Sequence, residues 1–282
     1  MGIVAALFAI ILWGALAILG VSLSNVPPFL LTGASLLVGG VLTLPYFKQW
    51  KLPLKTFLLG IYGLFGFHFL LFMALRYAPP IEANLINYLW PLLIVLLTPV
   101  FLPGMKLRSV HWIAAIAGAI GAVLAISGGK AINWSGGGIG YLFAAMSATV
   151  WATYSLGIKR VSPFPTAAVG GICLLSAGLS LSCHLLFEST PNLSTQQWLL
   201  IGLLGIGPMG IAFYLWDWAM KHGDPRRIGV LANLTPVLST ILLHLYTGRT
   251  LTLYIAGAAI LITGAAGMVW WSEQRRNRVN PS

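Results

Sequence analysis

The feature that most limits what this chain can fold into is the recurrence of uninterrupted apolar runs, each about 20 residues long and able, as a helix, to cross a hydrocarbon layer of roughly 30 Å. Ten such runs fall at approximately 3–22, 28–47, 56–77, 81–101, 109–127, 138–157, 166–187, 197–220, 226–247 and 251–271. Little chain is left for any other domain. Strands of a membrane barrel would be half as long and would alternate in polarity, whereas Leu92 to Leu97 is apolar on every face. The expected fold is an all-α integral membrane protein of ten transmembrane helices. The first run is too long for a cleaved signal and has no basic residue before it. With 7% of its residues charged, the chain could not coat a water-soluble globule.

A net charge of +11 would point to nucleic acid in a soluble protein, but here the sixteen basic residues stand in the gaps between apolar runs and read as topology signals. No nucleic-acid partner is expected. Ten crossings put both termini on one side. That side holds thirteen of the sixteen, including Lys48, Lys51, Lys55, Lys159, Arg160 and Lys221, against Arg76, Lys130 and Arg249 opposite. The positive-inside rule therefore places both termini in the cytoplasm.

The two halves of the chain resemble each other. Pro91 and Pro236 lie 145 residues apart, as do Pro80 and Pro225, Arg76 and Lys221, Ala74 and Ala219, and Gly60 and Gly205. Trp13 matches Trp151 at 138, and Gly118 with Gly121 matches Gly264 with Gly267 at 146. The organisation read from this is a five-helix repeat over 1–130, a second over 137–272, and a cytoplasmic tail over 273–282. Five is odd, so the second repeat enters the membrane inverted, as Arg76 outside and Lys221 inside agree. Inverted repeats are a framework on which secondary transporters alternate access to a midplane site.

Ten spans as five plus five, Trp13 and Trp151 midway along the first and sixth, a central proline in the fourth and ninth, and Gly-rich fifth and tenth spans resemble the drug/metabolite transporter superfamily, in its EamA-type branch. The likeness covers the full length. More narrowly, the run Gly66, Phe67, His68, Phe69 and the run from Asn84 through Asn87, Tyr88 and Trp90 to Pro91 resemble the bacterial aromatic amino acid exporters of that branch. What the resemblance implies is a multi-pass exporter of aromatic and other neutral amino acids in the bacterial inner membrane. Its small-molecule site would be a central cavity lined by both halves. Lipid is the other partner, a monomer is the expectation, and no cofactor is implied.

Depth singles out candidate residues. Counting about 1.5 Å per residue, Asn87, Tyr88, Trp90 and His68 lie roughly 9 to 14 Å below the outer surface. Asn84, Asn87, Tyr88 and Pro91 follow one helical face, which points into a bundle or a cavity. Asparagines there either line the cavity or hydrogen-bond between helices. Pro91 frees the carbonyl of Asn87, and Pro236 that of Ala232, marking either a binding site or a packing kink. Asn233 and Tyr214, with the run Gly205, Gly207, Pro208 and Gly210 read as flexible, form the inner part of the path. His68 either binds substrate or bonds a nearby backbone carbonyl. Trp13 and Trp151 stand away from the interfacial belts, as aromatic walls of the site or as core. Trp50, Trp112, Trp134, Trp198, Trp270 and Trp271 are ordinary anchors at span ends. The small-residue stripes of the fifth and tenth spans read as helix packing.

Asp217 and Glu82 are the two candidates for energy coupling. Asp217 has Lys221 four residues on, so its bland role is an ion pair, and changes to either residue are expected to be mild. Glu82 stands in the first turn of the fourth span with Arg76 close, a capping position that would also draw substrate to the outer mouth. Rival classes lack their residues. The five histidines are scattered and no metal site is visible. Asp217 has no second embedded acid for a membrane aspartyl protease, and no Gly-rich loop with Lys would hold ATP. No enzyme is expected. Embedded Lys or Arg for a phosphorylated substrate is missing, so small, net-neutral substrates and uniport fit best. A proton-coupled exporter of small hydrophobic or cationic compounds is the alternative.

Overall fold

The computed structural model describes residues 1–132, 138–248 and 252–279. Trp134 and Arg249 lie outside these, as do 280–282 of the tail. Among the described residues the fold is all helical: α1 (Gly2–Gly14), α2 (Leu16–Ser22), α3 (Pro28–Val41), α4 (Leu54–Ile61), α5 (Phe67–Tyr77), α6 (Pro80–Asn87), α7 (Trp90–Phe101), α8 (Ser109–Ser127), α9 (Gly138–Gly157), α10 (Val169–Phe187), α11 (Thr195–Ile206), α12 (Ala212–His222), α13 (Pro225–Ala232), α14 (Leu234–Thr247) and α15 (Leu253–Val279). Several are two pieces of one rod, since π turns at Tyr62–Gly66 and Gly207–Ile211 join α4 to α5 and α11 to α12.

Eight stretches of the described chain are long and apolar enough to cross a membrane, or nine if one bent pair is counted as a span. The protein is a multi-pass membrane protein. Two runs read as plain spans depart from that pattern for physical reasons. α9 has 20 residues, but eleven of them are buried among neighbouring helices, and an interior helix can carry Ser147, Tyr154 and Ser155 without meeting lipid. The second run stops at Val41, because Pro45 has no N–H for the Val41 carbonyl; the chain turns by 88° into a 3-10 helix, Leu44–Trp50. At the C-terminus, α15 carries helix through most of the segment read as a tail.

Helix boundaries recur along the chain. The π turns at Tyr62–Gly66 and Gly207–Ile211, α5 and α12, and α6 and α13 each begin 145 residues apart. Packing follows the same correspondence. α1 lies against α12 while α9 lies against α5, and α3 packs along α10 as α8 packs along α15. The α3 and α10 pair is antiparallel: Gly33 faces Leu181, and seven residues later Gly40 faces Leu174 and Gly170.

Glycines allow two of these contacts. A Cβ on Gly210 would lie 2.3 Å from the Gly205 carbonyl and 3.0 Å from the Gly39 Cα. The run read as flexible is thus a tightly packed π turn against α3. On α8, Gly118 and Gly121 seat Asn233 and Ile262, as helix packing requires. Gly264 and Gly267 do not match them, because a Cβ on either would meet nothing within 4 Å; they face outward. Of the interfacial tryptophans, Trp112, Trp198, Trp270 and Trp271 are exposed, whereas Trp50 is half-buried against Gly171. Both cysteines are free thiols, Cys173 buried and Cys183 half-buried.

Candidate functional site

Four tryptophans from four helices meet in the core: Trp13 of α1, Trp90 of α7, Trp151 of α9 and Trp216 of α12. All six pairs are in ring contact, with centroids 5.1 to 6.3 Å apart and mostly edge-to-face, the arrangement that sets the positive edge of one ring on the negative face of another. Two indole N–H groups fix the rings. Trp13 Nε1 donates to the Pro208 carbonyl at 3.0 Å, a carbonyl within the π turn, and Trp216 Nε1 donates to Ser155 Oγ at 3.0 Å. Phe213, one turn before Trp216, touches both Trp13 and Trp151.

His68 reaches this cluster through aromatic neighbours, with its ring 6.2 Å from Phe213 and 5.0 Å from Phe67, which in turn touches Trp151. Its Nδ1 lies 2.6 Å from the Leu64 carbonyl, again within a π turn. A carbonyl only accepts, so Nδ1 carries the hydrogen and Nε2 is left for any other partner. The backbone contact weighed as the alternative to a binding role is therefore made, by one nitrogen only.

The helix breaks lie beside the tryptophans, for the reason the prolines give. α6 ends at Asn87; Tyr88 N still bonds the Asn84 carbonyl at 2.8 Å, Leu89 N tightens onto Ile86 at 3.1 Å, and the helix restarts with Trp90 and Pro91 in its first turn. α13 gives way to α14 at Asn233 in the same manner, with Asn233 N on the Val230 carbonyl at 3.3 Å and Pro236 in the new first turn. Tyr88 and Asn233 thus hold equivalent positions, 145 residues apart. Asn87 is buried and its Oδ1 accepts from Ser147 Oγ of α9 at 2.8 Å, the interhelical bond weighed against cavity lining. Asn84 and Tyr88 are half-buried and make no side-chain hydrogen bond among the described residues.

Other candidates stand apart from the tryptophans. Asn233 is fully buried, packs on Gly118, and donates to the Gly229 and Val230 carbonyls at 3.3 and 3.2 Å, while its Oδ1 has no partner. Tyr214 donates to the Gly39 carbonyl at 2.8 Å and lies 3.3 Å from Thr43 Oγ1, so it binds α12 to α3. Asp217 is completely buried. Its Oδ2 accepts from Lys221 Nζ and from Thr166 Oγ1, both at 2.6 Å, and Oδ1 has no partner. Lys221 also donates to the Phe164 carbonyl at 2.8 Å and lies 3.4 Å over the Phe164 ring. Glu82 is buried in the first turn of α6, but among the described residues no ion pair joins it to Arg76, which is exposed at the end of α5 with its head in solvent.

Outside the spans, Asp224 caps α13 through Arg226 N at 2.9 Å and holds the Arg226 guanidinium at 2.6 Å. Burial opposes its charge, but the Arg226 contacts prevail and hold the carboxyl below the usual carboxylate range. Lys159 donates to the Lys221 carbonyl at 3.1 Å, and burial lowers its ammonium below the usual lysine range against the pull of Asp224. Among the described residues no three His, Cys, Asp or Glu side chains gather as for a metal.

Sequence reasoning missed Trp216 and Phe213. The signal was present, because Ala212, Phe213, Trp216, Ala219 and Met220 keep the spacing of one buried helical face.

Comparison with known proteins agrees with this architecture. The model of the EamA-like transporter family matches residues 1–127 and again 138–271. The chain is 43% identical over 275 residues to a protein of Ancylobacter novellus named aromatic amino acid exporter YddG, covering 92% of this chain and 93% of that one. A protein of the same name from Escherichia coli is 23% identical over 95% of this chain and 96% of its own. A solved crystal structure, 42% identical, superposes with a TM-score of 0.89 over 95% of this chain and 96% of that one. The chain belongs to the EamA-like transporter family and is a membrane transporter, not an enzyme.

Proposed function

We propose that the protein exports aromatic and other neutral amino acids from the cytoplasm across the bacterial inner membrane, by alternating access between two inverted five-helix halves. The observation that carries this is the meeting of Trp13, Trp90, Trp151 and Trp216, two from each half, beside the proline breaks at Tyr88 and Asn233. Rings that pack edge-to-face on each other can pack the same way on a substrate ring. Breaks at matching positions free carbonyls that an ammonium group can satisfy. The name of the relative from Ancylobacter novellus supports the substrate class.

Ten spans and the inversion are supported by the double family match, by the recurrence of boundaries at 145 residues and by the antiparallel packing of α3 on α10. The charge bias supports termini in the cytoplasm. In this reading Trp13, Trp90, Trp151, Tyr88 and His68 shape the site, Asn84 and Asn87 line its outer side, Asn233 and Tyr214 belong to the inner path, and the monomer is the working unit. Asp217 pairs with Lys221 and carries no proton, so transport is uniport.

Uptake of labelled phenylalanine and threonine into liposomes that hold only this protein tests the function. Flux down a concentration gradient with no pH difference, retained in Asp217→Asn, is expected. Flux of neither amino acid would refute the substrate class. Flux only under a pH gradient, lost in Asp217→Asn, would replace uniport by proton coupling. A cysteine placed at Lys130 should react with an impermeant reagent in intact cells, and one at Arg160 only after permeabilisation. The reverse pattern would overturn the orientation.

A further inference from the structure

The chain leaves α3 at a right angle. After an 88° turn, Leu44–Trp50 forms a 3-10 helix in which no residue is buried. A helix perpendicular to a membrane-crossing neighbour lies in the plane of the bilayer surface. At three residues per turn, Leu44, Phe47 and Trp50 fall on one edge, and Pro45, Lys48 and Lys51 on the next. Leu44 is 48% exposed, Tyr46 55% and Phe47 56%, which in water would be an uncovered apolar patch. Trp50 is the fixed point, packed with its ring 3.2 Å from where a Cβ on Gly171 would be. Lys48, Lys51 and Lys55 are exposed, and among the described residues none of them takes part in an ion pair.

An apolar edge beside a basic edge, both lying flat at the end of a span, is the pattern of an interfacial helix. Three cations within eight residues complement a layer of anionic headgroups. We propose that Leu44–Trp50, with Lys48, Lys51 and Lys55, is a binding surface for anionic phospholipid in the cytoplasmic leaflet. The leaflet rests on the orientation argued above; the preference for anionic headgroups does not. The surface also touches the inner mouth of the transporter. The segment packs against Thr166–Ala168, Thr43 Oγ1 donates to the Ala167 carbonyl at 2.9 Å, and Thr166 holds Asp217.

The full chain with Gln49→Cys and Cys183→Ser, labelled with bimane and reconstituted in phosphatidylcholine vesicles, tests the proposal. The vesicles carry an equal fraction of either brominated phosphatidylglycerol or brominated phosphatidylcholine. Quenching by the brominated phosphatidylglycerol should be several-fold stronger, should persist when inorganic phosphate is added, and should fall to the phosphatidylcholine level in K48Q/K51Q/K55Q. Single lysine variants should fall between, which separates lost contacts from a misfolded triple variant. Equal quenching by the two lipids overturns the proposal, and so does a preference that survives in the triple variant. Loss of the preference on adding phosphate would show that the site takes free phosphate instead. Labelling of Gln49→Cys by an impermeant reagent in intact cells would reverse the leaflet and the orientation, leaving the lipid preference to be read from the vesicles.

Discussion

Lys221→Gln should damage the protein far more than Asp217→Asn, although the i,i+4 spacing alone would make both changes mild. Asp217 has no exposed side-chain surface, and one oxygen carries both of its hydrogen bonds, from Lys221 and Thr166. Removing Lys221 strands a buried carboxylate, at a cost of about 3–5 kcal/mol. Removing the charge of Asp217 strands much less. Lys221 keeps the Phe164 carbonyl at 2.8 Å and its ring at 3.4 Å, and its side chain, already 15% exposed, can extend to the cytoplasmic surface. That change should cost about 1 kcal/mol. The double variant holds no embedded charge at this point, so it should recover most of what Lys221→Gln loses. Reversible unfolding of the four proteins in mixed micelles measures the cycle. Equal stability of the two single variants, or a double variant weaker than Lys221→Gln, would refute the idea that a buried charge drives the loss.

Three further changes address the site and its rim. Trp90→Ala removes ring contacts worth about 0.5–1.5 kcal/mol each, so apparent affinity for phenylalanine should fall about tenfold while threonine stays within about threefold; equal loss for both would make Trp90 scaffold. Trp13→Phe keeps a ring but leaves the Pro208 carbonyl unpaired, which should lower stability by about 1–3 kcal/mol, and a neutral result in thermal melts would deny the bond its role. Asp224 has a lowered folded-state pKa, so its charge stabilises the fold above the unfolded value of about 3.9 and that contribution fades as pH falls through the folded value. Asp224→Asn keeps a capping oxygen and loses the charge; its deficit in melts at neutral pH should shrink once pH drops below about 4, and a constant deficit would point to the cap alone.

How much was legible in the sequence follows from what lipid demands of each residue. Spans exposed to lipid announce themselves by composition, and the run read at 109–127 is helix Ser109–Ser127 in the structure. Proline breaks were legible because the missing N–H is a local fact. The outward face of Gly264 and Gly267 was not, because a small residue packs only if a neighbour arrives from elsewhere in the chain. Nor was the burial of Asp217, since Thr166 and Phe164 come from a loop some fifty residues away. Trp216 carried the right spacing and was masked by the charged pair next to it. Glu82 and Arg76 are close in sequence, yet the turn between α5 and α6 leaves one inside and the other in solvent.

The two π turns have a consequence for how the halves change shape. Each is a wrinkle of one surplus residue in an otherwise continuous rod, and each sits just before the helix that carries His68, or Phe213 and Trp216. One residue is about 100° of rotation. If the wrinkle slides a turn along the rod, the side chains it passes swing about the axis by that angle while both ends of the rod stay anchored. Trp13 and His68 grip the two wrinkles by their carbonyls, so a ligand that displaces either ring releases the rotation in the same half of the molecule that it contacts.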